Sequence, residues 1–228
     1  MYNSLKQLGF NDKFAERAAQ YGIGQPYRIT EDFGLRFVVS GEGSGQPQGQ
    51  PQLQPQLQRF DLIFARKNER APIIGDWILG IPTQNGAVEF VDILERATCF
   101  QRGNGEDRVQ ALAANIDKLF IVTSCTDEFN LSRLERYLLL AHANRLTLVI
   151  VLNKADLVEE KGRYVDQIAE LGAGIALCVL STFSESGVTQ LKHMMMEGET
   201  CVFVGSSGVG KSSIVNALIV HIDSRRSP

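Results

Sequence analysis

Apolar and polar positions change rhythm once along the chain, near residue 100. Before that point they come in short alternating runs bounded by turn residues: Tyr27-Arg28-Ile29-Thr30, Leu35 to Val39, Arg59 to Ala65, Gly75 to Ile81 and Ala87 to Ile93. Runs of this length, rich in β-branched and aromatic residues, read as strands. Without a convincing helix among them, they predict a small antiparallel barrel over roughly 25–95. A short amphipathic opening, Leu5, Leu8, Phe10 and Phe14, precedes it. The stretch 41–58, Gly-Glu-Gly-Ser-Gly and then repeated Gln-Pro, has almost no apolar residues. It reads as a disordered loop between barrel strands, because strand patterning resumes on its far side.

From 110 onward, strands alternate with helical periods, which predicts a parallel α/β sheet. Lys118 to Thr123 is a strand. Leu131, Leu134, Leu138 and Ala141 then recur at helical spacing over 131–144, with Asn130 or Asp127 as the cap. Three further strand-helix units follow, with strands at Leu148 to Leu152, Ile175 to Val179 and Cys201 to Val204. The expected division is a barrel domain over 1–100 and an α/β domain over 101–228.

Chemistry concentrates at the ends of these strands. After Cys201 to Val204 comes Gly205-Ser206-Ser207-Gly208-Val209-Gly210-Lys211-Ser212-Ser213, a complete phosphate-binding loop leading into a helix. Its glycines let successive N–H groups curl around an anion, to which the helix start adds its dipole. Lys211 reaches the outer phosphates, and the Ser212 hydroxyl is placed for a magnesium ion. After Leu148 to Leu152 comes Asn153-Lys154-Ala155-Asp156. The Asp156 carboxylate can accept from both N1–H and the 2-amino group of guanine. Adenine offers neither donor, so each missing charged hydrogen bond costs on the order of 1.5–3 kcal/mol. Asn153 braces the loop and base, and the Lys154 stem lies over the ring. Leu180-Ser181-Thr182, ending another strand, supplies backbone amides for the guanine oxygen. Taken alone, the loop also fits an ATP-using enzyme and the second motif a capping turn. At carboxyl ends of one parallel sheet, a single nucleotide touches both.

Composition narrows the setting. The 228 residues carry 23 Lys and Arg against 26 Asp and Glu, a formal charge of −3. The chain as a whole is therefore not polycationic, and nucleic-acid binding requires a local patch. No apolar run approaches a membrane span, and the start lacks the pattern of a secretion signal. These features predict a cytoplasmic protein without membrane attachment, and a monomer is expected. Cys99, Cys125, Cys178 and Cys201 lack the paired spacing of a zinc site.

The order of the motifs is inverted, because Gly205 stands 49 residues after Asp156. In that respect, and in having a barrel ahead, the chain resembles the circularly permuted ribosome small-subunit-dependent GTPase A family of bacteria. The resemblance also rests on Gly75-Asp76-Trp77, on Gln110 to Asp117 and on Phe129 to Leu138. It implies an oligonucleotide-binding (OB) barrel docking on 16S ribosomal RNA and a GTPase that binds GTP or GDP with Mg2+. The activity implied is hydrolysis of GTP late in maturation of the small (30S) subunit. Asn153, Lys154 and Asp156 would read guanine, and Gly205 to Ser213 would hold phosphates and magnesium. Arg59, Arg66, Lys67, Arg70, Arg96, Arg102 and Arg108 are the candidate RNA contacts.

The family continues with a threonine-rich switch, an Asp-x-x-Gly segment and a Cys/His zinc domain. The 17 residues after Lys211 match none of these, so zinc ligands are not expected in this chain. For these residues alone the expectation is weak nucleotide binding and little hydrolysis, with no catalytic residue identified. A non-catalytic ribosome-binding chain is the alternative, and an ATP-using phosphate-loop enzyme is a further one. The phosphate-loop strand is expected at the sheet edge, in the strand order 200–204, 117–123, 147–152, 175–180.

Overall fold

A computed structural model describes residues 4–34, 36–43, 56–64, 71–103 and 109–223. The chain divides into two compact units, Met1–Ile116 with Glu197–Thr200, and Asp117–Met196 with Cys201–Pro228.

The first unit is built on β1 (Gln25–Asp32), β2 (Phe37–Glu42), β3 (Leu57–Ile63), β4 (Trp77–Pro82) and β5 (Val88–Ile93). They close into a barrel in the order β1-β2-β3-β5-β4, with Tyr27, Ile29, Phe37, Val39, Ile78 and Val88 buried in one core. The expected barrel is present, but it is not wholly antiparallel: β3 and β5 run parallel through Leu62–Val88 and Ile63–Glu89. Geometry requires this, since an odd number of strands alternating around a closed ring leaves at least one like-directed pair. Strand pairing also extends into the supposed loop 41–58. Gly41 and Glu42 pair with Gln58 and Leu57, and Gly43 N–H donates to the Gln56 carbonyl at 3.2 Å. The rest of that expectation, 44–55, lies outside the described residues.

The amphipathic opening forms a 3-10 turn over Leu5–Leu8 and helix α1 (Asp12–Ala19), capped by Asn11, whose side chain accepts from Phe14 N–H. Leu5, Phe10 and Phe14 pack with Trp77, Leu79 and Leu94 as a second core, the Phe10 and Trp77 rings 4.7 Å apart in an edge-on pair. Two further strands, β6 (Cys99–Gly103) and β7 (Val109–Ala114), pair as an antiparallel ribbon. The sequence places residues beyond 100 with the α/β domain, whereas this ribbon falls within the first compact unit. Its polar Gln101, Arg102 and Gln110 break the apolar alternation that would have marked strands.

Gly75-Asp76-Trp77 and Asn115 meet here. The fully buried Asp76 carboxylate accepts from Arg96 Nε and Nη2 at 2.6 and 2.7 Å and from Ile73 N–H at 2.9 Å. Asn115 donates to the Gly75 carbonyl at 2.9 Å and accepts from Ala97 N–H at 2.8 Å. Those two segments therefore knot barrel and ribbon together by satisfying each other's buried polar groups.

The second unit carries β8 (Lys118–Ser124), α2 (Leu131–Ala143), β9 (Thr147–Asn153) and α3 (Gly162–Ala169), then β10 (Ala176–Val179), α4 (Glu185–His193), β11 (Cys201–Gly205) and α5 (Lys211–Asp223). The four strands form a parallel sheet in the order β10-β9-β8-β11, the order expected, with the half-buried β11 at an edge. Asn130, not Asp127, caps α2, its side chain accepting from Arg133 N–H at 2.9 Å. Phe120, Val122, Val149, Val151, Leu191 and Ile214 belong to the buried core beneath the strands and helices. Among the described residues no helix is long and apolar enough to cross a membrane.

Candidate nucleotide-binding site

Both sequence motifs lie at the carboxyl ends of the parallel strands. Gly205 ends β11, where a Cβ would stand 2.2 Å from the Val122 carbonyl oxygen, so only glycine permits the close strand approach from which the loop starts. Val209 is fully buried and pins the loop to the core, while Ser207 and Gly208 are exposed. Gly210 has φ +98°, and Ile214 N–H donates to its carbonyl at 2.9 Å as the first turn of α5 forms. Lys211 Nζ donates to the carbonyls of Gly205 at 3.0 Å and Ser206 at 2.5 Å, curling back over the loop. Ser212 and Ser213 stand exposed on the first turn of α5. A glycine-rich loop leading into an exposed helix start, with a lysine folded back on the loop, is suited to polyphosphate.

Asn153, the last residue of β9, is buried and donates from Nδ2 to the Val209 carbonyl at 2.9 Å. This bond ties the second motif to the phosphate loop. Its own carbonyl accepts from Cys125 N–H at 3.0 Å, and its Oδ1 is a buried acceptor without a partner among the described residues. Lys154 takes a left-handed conformation, φ +58°, and turns the chain so that Ala155–Leu157 form one 3-10 turn with Asp156 exposed. Ala155 N–H donates to the Leu180 carbonyl at 3.1 Å, joining this turn to the end of β10. Ser181 is buried there, its hydroxyl accepting from Phe183 N–H at 3.2 Å, and Thr182 is half-buried. Asp156, Lys161, Leu180 and Ser181 line a cavity of about 360 Å³. A larger groove of about 650 Å³, between Leu138, Leu139 and His142 and the segment 171–175, opens at the amino ends of β9 and β10, the opposite edge of the sheet from both motifs.

The structure adds Arg133, which in the sequence is only one residue of the family-like segment Phe129 to Leu138. From the first turn of α2 its guanidinium donates to the Ser206 hydroxyl. No local pattern identifies such a partner 73 residues away.

The candidate RNA contacts fare unequally. Arg96 is corrected: its side chain is only 7% exposed and its donors are engaged by buried Asp76, so it holds the first unit together instead of facing a ligand. Arg59 is 66% exposed and pairs with Glu31, and Arg102 is exposed on β6. Arg66, Lys67, Arg70 and Arg108 lie outside the described residues. Among those described, no three His, Cys, Asp or Glu side chains converge as a metal site. Burial pushes the Cys178 thiol up to about 11 and raises that of Cys125, keeping both protonated.

A phosphate loop and a guanine-type motif, in permuted order on one parallel sheet behind a five-stranded barrel, define a circularly permuted GTPase fold with an OB-type barrel. Comparison with known proteins agrees. Residues 93–227 match the family described as RsgA GTPase, and the chain belongs to that family. It is 39% identical over 153 residues to a small ribosomal subunit biogenesis GTPase RsgA of Methanosarcina acetivorans, a match covering 66% of this chain and 42% of that protein. With small ribosomal subunit biogenesis GTPase RsgA 2 of Listeria monocytogenes it shares 32% identity over 217 residues, 94% of this chain and 58% of the relative. The chain thus spans about half the length of the curated relatives it matches. The crystal structure of YjeQ from Thermotoga maritima has the same fold, with a TM-score of 0.65 at 23% identity over 85% of this chain and 64% of that one.

Proposed function

We propose that this chain binds guanine nucleotides and acts as a GTPase in biogenesis of the small ribosomal subunit. The observation that carries the reading is the Asn153–Val209 hydrogen bond, which joins the base motif to the phosphate loop and so supports a single nucleotide touching both. Asp156, exposed and lining one cavity with Ser181, is available to accept from N1–H and the 2-amino group of guanine. The N–H groups of Gly205 to Ser213 and the Lys211 ammonium take the phosphates.

Magnesium fits the donor set, because Ser212 offers one exposed hard oxygen at the helix start. Mg2+ characteristically keeps several waters and completes its shell with nucleotide phosphates. It would neutralise phosphate charge there. GTP hydrolysis in late 30S maturation, docking of the barrel on 16S RNA through residues such as Arg59 and Arg102, a cytoplasmic location and a monomeric state complete the reading. Permuted motif order and the barrel support it, together with the relatives named as small-subunit biogenesis GTPases.

Competition of GTP, GDP, ATP and xanthine nucleotides for a fluorescent GDP analogue tests the base assignment. The parent chain should prefer guanine, and Asp156→Asn should shift preference toward xanthine, whose 2-oxo group suits the new amide donor. Displacement by ATP as effective as by GTP would support an ATP-using enzyme instead. Co-sedimentation with small subunits tests the partner.

A further inference from the structure

Arg133 has no part in the base and phosphate contacts assigned to the two motifs. It occupies the first turn of α2, the helix that follows the carboxyl end of β8, and so belongs to the same end of the sheet as both nucleotide motifs. The turn is held firmly: Asn130 caps it and Leu134, the next residue, is 3% exposed in the core. The guanidinium donates to the hydroxyl of Ser206, the first residue after β11, and Ser206 in turn accepts from Lys211 Nζ at its carbonyl. Two cations on different elements therefore converge on one residue of the phosphate loop. Among the described residues Arg133 makes no ion pair with a carboxylate, and it remains half-buried rather than spread into solvent. A half-buried guanidinium bonded to a neutral hydroxyl keeps its charge uncompensated beside a site built for anions.

The loop itself contains Gly205, Gly208 and Gly210, whose freedom must be restrained before its N–H groups can converge. Val209 and Asn153 restrain the far end of the loop, at its junction with α5. Ser206 lies at the near end, where Arg133 supplies an anchor from a rigid helix.

We propose that Arg133 is a positioning residue of the nucleotide site: it fixes the first bend of the phosphate loop through Ser206 and brings positive charge to the polyphosphate side. The inference rests on the guanine-nucleotide reading and deepens it. Its predicted signature is selective for phosphates. Arg133→Gln should weaken GDP and GTP by about tenfold, the worth of one charge-assisted hydrogen bond, and leave guanosine unchanged. Ser206→Ala should weaken the same ligands, and Arg133→Gln added to it should cost less than it does alone, because the part of its effect carried by their contact is already gone. Arg133→Lys keeps the charge but not the planar donor geometry, so it should restore only part of the affinity.

Binding of GDP, GTP and guanosine would be measured by competition with a fluorescent GDP analogue, alongside melting temperature for each variant. If Arg133→Gln proves too unstable, Ser206→Ala, which deletes one hydroxyl, still reads the contact. Unchanged GDP affinity in Ser206→Ala, equal losses for GDP and guanosine, or fully additive losses would each overturn the assignment. A parent chain that binds GDP no better than guanosine would instead bring down the phosphate-loop reading on which the proposal stands.

Discussion

Replacing Gly210 by alanine should damage the site in a way that can be separated into two parts. Gly210 has φ +98°, a conformation that costs an L-residue roughly 1–2 kcal/mol. Its new Cβ would also lie 2.3 Å from Asn153 Nδ2, the atom that donates to Val209 at 2.9 Å. Asn153 must move, and a buried donor left unpaired costs about 1–3 kcal/mol. The sum is about 2–5 kcal/mol. Gly208→Ala provides the comparison, for its φ is +81° but its Cβ would meet nothing within 4 Å, leaving only the backbone cost of about 1–2 kcal/mol.

Urea unfolding of the parent, both single variants and Gly210→Ala in an Asn153→Ala background would measure each part, with GDP affinity followed in parallel. Once the Asn153 side chain is removed, the penalty of Gly210→Ala should fall to that of Gly208→Ala. Equal penalties in the two backgrounds, or a Gly208→Ala variant as damaged as Gly210→Ala, would refute the claim that Asn153 and the loop are locked together by this contact.

Further outcomes follow from other parts of the structure. Asp76→Asn should destabilise the first unit by about 3–5 kcal/mol, because it leaves buried Arg96 without its counter-charge; the fluorescence of Trp77, the chain's single tryptophan and fully buried beside it, reports the loss. Lys211→Ala should weaken GDP and GTP far more than guanosine, and Ser212→Ala should chiefly reduce the magnesium dependence of binding, both measurable by titration calorimetry. Alkylation followed by mass spectrometry at pH 8 should modify half-buried Cys99 and Cys201 before buried Cys125 and Cys178. With its thiol raised from 9.0 to about 11 in the folded state, Cys178 contributes stability that is present below pH 9 and lost as pH rises toward 11, so the melting temperature should fall across that window.

Short-range information was enough for most of the elements and for the chemistry of both motifs. Apolar period two marks β1 to β5 and period 3.6 marks α2, because each depends on which face of a local backbone meets the core. Gly205 to Ser213 is legible as a phosphate loop, and Asn153 to Asp156 as a base motif, because backbone curvature and donor chemistry reside in the residues themselves. Tertiary structure decided what depends on closure and on distant partners. The parallel β3–β5 pair arises only when five strands complete a ring. The β6–β7 ribbon has too little apolar alternation to announce itself and is held by buried polar groups shared among Gly75, Asp76, Arg96 and Asn115. Arg96 looked like any basic candidate for RNA until Asp76, 20 residues away, was found to bury it. Arg133 met Ser206 only once α2 and β11, far apart in the chain, were brought to one end of the sheet. A side chain's type sets what it can bond, but desolvation and the arrival of a partner, both products of the folded chain, decide whether that capacity faces a ligand or is spent inside.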